Sequence, residues 1–175
     1  MNIFSLLAVL LCVTSVFAEV PVAMNCPDGW KWFKRSRGGW CMKVYSGTMD
    51  QPSAEAKCQA EGATIAGIQN NEEIAWMITA IQAITGTKDA LWIGAKRTKP
   101  CISAGLTKEC SGTSSFYWTD KSTVGVQGFV WLAGEPNNAG MKQDCAQLYT
   151  ATSNMDDLAC ASLIPGYVCG KIASF

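Results

Sequence analysis

Asn71-Glu72-Glu73-Ile74-Ala75-Trp76-Met77-Ile78-Thr79-Ala80-Ile81-Gln82-Ala83-Ile84-Thr85 (residues 71–85) reads as an amphipathic helix. Ile74, Met77, Ile78, Ile81 and Ile84 recur at three- and four-residue steps, an Asn cap and two glutamates open the segment, and Gly86 stops it. The apolar stripe is a core face rather than a cofactor surface. Upstream, residues 53–61 form a second helical segment, rich in Ala, Glu, Lys and Gln and ended by Gly62. Downstream the pattern changes: short strand-like runs at 91–94, 116–118, 145–149 and 167–169 are separated by connections rich in Gly, Ser, Thr and Asn. Helices early and strands late predict an α+β fold.

Further toward the N-terminus, residues 3–17 are uncharged and mostly apolar, and Val16-Phe17-Ala18 suits cleavage by a signal peptidase. Residues 1–18 are read as a secretory signal peptide, although no Lys or Arg precedes the apolar run; Glu19 and Pro21 end it short of a membrane span. Its removal leaves 157 of the 175 residues, enough for one substantial domain, with 19–25 as a short leading segment and 26–175 as the domain. Of nine cysteines, Cys12 falls in the signal; Cys26, Cys41, Cys58, Cys101, Cys110, Cys145, Cys160 and Cys169 remain. An even count in a secreted chain predicts disulfides, though spacing does not choose among 105 pairings. Zinc is disfavoured, since the chain has no histidine and no Cys-x-x-Cys pair.

Fourteen basic and fourteen acidic residues cancel, which argues against a nucleic-acid or anionic-membrane partner. The one basic cluster, Lys31, Lys34, Arg35 and Arg37, lies among Trp30, Trp32 and Trp40, and is read as a solvated hairpin face with inward-pointing tryptophans. Enzymatic chemistry has little to work with: without histidine there is no Ser-His-Asp or Cys-His arrangement, and carboxylates that ligate a metal do not also serve as general acids.

The carboxylates that matter lie near the other end. Gly134-Glu135-Pro136-Asn137-Asn138, Gln143-Asp144-Cys145 and Met155-Asp156-Asp157 gather acid and amide oxygens on a proline-kinked loop beside a cysteine, a ligand supply suited to calcium. A surface-bound calcium leaves coordination positions open to hydroxyl groups of a ligand.

Together with Cys26-Pro27-Asp28-Gly29-Trp30, Trp40-Cys41, Ala54-Glu55-Ala56-Lys57-Cys58, Gly62-Ala63, Trp92-Ile93-Gly94, Phe116-Tyr117-Trp118-Thr119-Asp120, Trp131 and Tyr167-Val168-Cys169, these motifs stand in the order typical of the C-type lectin domain. The resemblance runs from residue 26 to 171, and the Cys101 and Cys110 insertion with the Trp92–Arg97 run is similar to secreted nematode members. It implies a long-form domain: two helices, small antiparallel sheets and a long calcium-binding loop region. It also implies the pairs Cys58–Cys169, Cys145–Cys160 and Cys26–Cys41, with Cys101–Cys110 remaining.

Carried over position by position, the family's calcium and sugar ligands fall on Glu135, Asn137, Gln143, Asp156 and Asp157. Gln143 stands where the family usually has Glu, and Met155-Asp156-Asp157 where it has Trp-Asn-Asp, so three carboxylates are retained. Glu-Pro-Asn resembles the version accepting vicinal equatorial hydroxyls, as in mannose, N-acetylglucosamine or fucose, with a cis peptide before Pro136. The expectation is a secreted calcium-dependent lectin for glycans on glycoproteins or microbial surfaces. The alternative is a protein-binding or structural member of the same fold that has lost sugar binding.

Overall fold

A hairpin opens the described part of the chain, residues 25–174 of the computed structural model: β1 (Lys31–Arg35) turns into β2 (Gly38–Met49). The expected signal peptide lies outside these residues. The hairpin differs from its sequence reading in two side chains. Trp32 is 42% exposed, whereas Arg35 is buried at 4% beside buried Trp40. A buried guanidinium is tolerable only when its donors are met. Arg35 grips Glu73 at two points (Nε to Oε1 2.8 Å, Nη2 to Oε2 2.7 Å), donates from Nη1 to Asp120 at 2.9 Å and from Nη2 to the Gly67 carbonyl at 3.0 Å, and lies 4.7 Å from the Trp40 ring centre.

Next come α1 (Gln51–Ala60), β3 (Thr64–Ile65), α2 (Asn71–Thr85), β4 (Ala90–Arg97), β5 (Phe116–Trp118), β6 (Cys145–Tyr149), β7 (Asn154–Leu158) and β8 (Ile164–Ile172). Both helices start on side-chain caps: Asp50 accepts from Ser53 N for α1, and Asn70 rather than Asn71 accepts from Glu73 N for α2. Gly86 closes α2 at φ 75°, a left-handed conformation favouring glycine. The core stripe holds at Ile74, Met77 and Ile81, but Ile84 in the last turn is exposed.

The α+β class stands, with a different strand arrangement: two strands precede the first helix, and the expected small sheets are joined. Strands run in the order β1-β2-β8-β4-β6-β7, with β3 on β8 and β5 on β4. All pairs are antiparallel except β4 with β8. The larger core packs Phe33, Met42, Met77, Ile81, Leu148 and Val168 together; a second gathers Ala54, Ile65, Trp92, Ile164 and Tyr167 around Cys58 and Cys169.

The disulfides are Cys26–Cys41, Cys58–Cys169, Cys101–Cys110 and Cys145–Cys160. On loop entropy alone, the Cys58 bridge, 111 residues apart, contributes about 4–5 kcal/mol and the Cys145 bridge, 15 apart, roughly 3. The latter ties the start of β6 to the residues just after β7, fixing one side of the acidic loop.

Candidate functional site

The loop carrying Glu135 is pinned to β7 from beneath. Met155 N donates to Val130 O at 2.7 Å and Leu132 N to Met155 O at 2.9 Å, with Trp131 bridged to Met155. Aromatic contacts support it: Trp131 lies 5.0 Å from Phe116 and 5.9 Å from Phe129, which stacks on Trp118 at 4.1 Å. Gly134 then turns at φ 88°, where a side chain would be strained, and the Glu135–Pro136 peptide is cis.

Beyond this turn the chain folds around a carboxylate. Asp157 is fully buried; its Oδ1 accepts from Asn137 N at 3.0 Å and its Oδ2 from Asn138 N at 2.8 Å. Glu135 accepts from the backbone N–H of Asn137 at 2.8 Å and from its side-chain Nδ2 at 2.9 Å. Asp156 accepts from Gln147 Nε2 at 3.1 Å. One carboxylate oxygen from each of Glu135, Asp156 and Asp157 lies within 4.8 Å of the others.

Crowding of acids is visible in their acidities. Burial pushes the Glu135 carboxyl above the usual range, helped by the neighbouring Asp157. Burial likewise raises Asp156, with Glu135 adding to it. Asp157 is also raised by burial, against the pull of the Asn138 N–H and the Arg97 charge. Three hard carboxylate oxygens drawn together match the donor chemistry of a calcium ion.

Of the five expected ligands, Glu135, Asp156 and Asp157 thus converge, and Asn137 is held against Glu135. Gln143 has a different setting. Its Nε2 donates to the Asp157 main-chain oxygen at 2.7 Å and its Oε1 accepts from Ala139 N, so the amide frames the loop.

Two residues at the centre of this arrangement were not among the expected ligands. Asn138, at φ 53° and 1% exposed, accepts from Gln143 N on Oδ1 and donates from Nδ2 to Ile102 O and Ala104 O at 2.9 and 3.0 Å, joining the Cys101–Cys110 loop to the site. Arg97, with its side chain wholly buried, pairs through Nη2 with Asp157 Oδ2. The sequence offers only its position at the end of the apolar 92–95 run; it is the burial seen in the structure that obliges this cation to be paired.

Comparison with known proteins agrees with this architecture. A galactose-specific lectin, nattectin, from Thalassophryne nattereri is 27% identical over 146 residues, spanning 82% of this chain and 80% of its own. The cow C-type carbohydrate-recognition domain of CD23, crystallised in the presence of a GlcNAc2Man3 oligosaccharide, shares the fold at TM-score 0.63 and 21% identity, over 87% of this chain and 100% of that one. A calcium-independent type II antifreeze protein matches at TM-score 0.63 and 25% identity, over 88% and 99%. Among the described residues no helix is long and apolar enough to cross a membrane. Residues 33–169 match the family described as C-type lectin domain-containing protein 141/158, and with that span, most of the folded region, the chain belongs to the C-type lectin domain family, which is not a family of enzymes.

Proposed function

We propose that this protein is a secreted, calcium-dependent lectin that accepts vicinal equatorial hydroxyls of the mannose type, on glycoproteins or microbial surfaces. The observation that carries the reading is the side-by-side placement of the Glu135 carboxylate and the Asn137 amide at 2.9 Å, next to the carboxylates of Asp156 and Asp157. A sugar hydroxyl has one proton to donate and lone pairs to fill; Glu135 offers the acceptor and Asn137 Nδ2 the donor. Glu135, Asp156 and Asp157, with the amide oxygens of Asn137 and Gln143 as further expected ligands, would hold the cation. Calcium, when bound, supplies open coordination positions for the hydroxyl oxygens. The resemblance of Glu135-Pro136-Asn137 to the mannose-type motif supports that selectivity, although nattectin is named as galactose-specific.

The test is retention on immobilised mannose with release by chelator, then elution by free mannose compared with galactose. A second reading, a member of the fold that binds protein or serves structurally, draws on the likeness to a calcium-independent antifreeze protein and on the engagement of Gln143 with main-chain groups. No retention on mannose or galactose resin selects that second reading, whereas sugar-specific retention unaffected by chelator overturns the calcium dependence alone.

A further inference from the structure

Asp157 holds a concentrated buried charge, and its counter-charge comes from the sheet. Arg97 ends β4, a strand hydrogen-bonded to β5, β6 and β8. Its backbone is fixed too, since Arg97 N donates to Asp144 O at 3.0 Å. From that rigid base the side chain passes under the loop, its guanidinium carbon 4.7 Å from the Phe116 ring centre. Nη2 meets Asp157 Oδ2 and Nε donates to Gln143 O at 2.8 Å, with Asp144 Oδ1 3.8 Å away. The carboxylate bound by Arg97 is the one that accepts the N–H groups of Asn137 and Asn138.

We infer that Arg97 is a resident counter-cation that keeps the inner half of the 135–143 loop assembled before any metal arrives, positioning Asn137 through Asp157. In a low-dielectric interior an unpaired Asp157 carboxylate would turn outward to water, releasing both N–H groups. With the guanidinium in place, one of three negative charges is matched from within. The outer carboxylates Glu135 and Asp156 carry the charge left for calcium. The division of labour with calcium rests on the function proposed above; the order of the metal-free loop does not.

Amide hydrogen exchange, read by NMR on the full folded domain in excess chelator, tests this. In wild type the Asn137 and Asn138 amides are expected to exchange at least ~10-fold more slowly than in an unstructured chain. In Arg97→Met that protection is expected to vanish at 137 and 138 while amides of β2 and β8 keep theirs, and added calcium restores it. Arg97→Lys keeps the charge without the planar fork and should fall between the two. Rapid exchange at both positions in chelated wild type overturns the inference, and does so even if the Met variant fails to fold. Unchanged protection in Arg97→Met, or a loss spread evenly through β4, β6 and β8 as a merely structural role would give, overturns it equally. Failure of the lectin reading appears elsewhere, as absent mannose retention, and leaves these outcomes distinct.

Discussion

At the scale of single residues, selectivity depends on which side of a hydroxyl carries the acceptor. Exchanging Glu135→Gln together with Asn137→Asp preserves one carboxylate and one amide at the pair but reverses their order, so the charge offered to calcium is unchanged. The double variant should elute from mannose resin at lower mannose concentration and tolerate galactose better than wild type. Unaltered selectivity would mean that neither side chain touches sugar. Gln143 invites a different experiment. Its Nε2 donates to the Asp157 carbonyl at 2.7 Å, so Gln143→Glu sets two acceptors against each other and should lower stability by about 1–3 kcal/mol in urea unfolding under chelator. The raised acidities of Glu135, Asp156 and Asp157 have their own consequence. A carboxyl whose folded pKa exceeds its unfolded value binds more protons in the folded state across that interval. The contribution of these three groups in the calcium-free protein is therefore most favourable below the ordinary carboxylate range and declines as pH rises through the raised values.

At the scale of elements, how legible each piece was depends on whether its own residues or its neighbours specify it. Helix α2 was readable because its caps and stripe lie within fifteen residues, and only Ile84, at the exposed end of the stripe, departed. Strand β7, Asn-Met-Asp-Asp-Leu, has two adjacent acids and reads as a polar loop; it becomes a strand because β6 pairs with it residue by residue and Trp131 bridges its far side. The hairpin hid its buried cation for a related reason: Glu73 and Asp120, which make Arg35 tolerable, lie 38 and 85 residues away. The site divides the same way. Glu135, Asp156 and Asp157 were visible as loop acids, while Arg97 gained meaning only once β4 was set beneath them. Close approach of elements gives a sharp prediction at Gly94 in β4. A Cβ there would lie 2.3 Å from the Ile65 main-chain oxygen, and Gly94 N donates to Ala66 O at 2.8 Å. Gly94→Ala must push β3 from β4, costing about 1–3 kcal/mol or more, measurable as a lowered urea midpoint with unchanged slope.

For the whole molecule, the question is how a bound cation at one rim affects a domain held by a broad sheet, two cores and four disulfides. Sheet and disulfides do not depend on the metal, and Arg97 already matches part of the charge around Asp157, so chelation should leave the fold intact and act on stability through binding alone. A ligand that binds only the native state adds about 2.7 kcal/mol at one hundred times its dissociation constant. For a domain of this size each kcal/mol moves the melting temperature by roughly 2–4 °C, so calcium at about one hundred times its dissociation constant should raise it by about 5–10 °C. The rise should set in as calcium passes the submillimolar to millimolar dissociation constants typical of extracellular modules and then grow with the logarithm of its concentration. Limited proteolysis should follow the same titration, with cutting between residues 134 and 157 suppressed as calcium is added and the strands outside that segment untouched. Glu135→Gln with Asp156→Asn removes the two outer charges while leaving the Arg97–Asp157 pair intact, and should abolish the calcium-dependent rise without lowering the metal-free melting temperature. A melting temperature that stays flat to ~10 mM calcium in wild type would exclude the cation site, because that concentration lies well above the range such modules use.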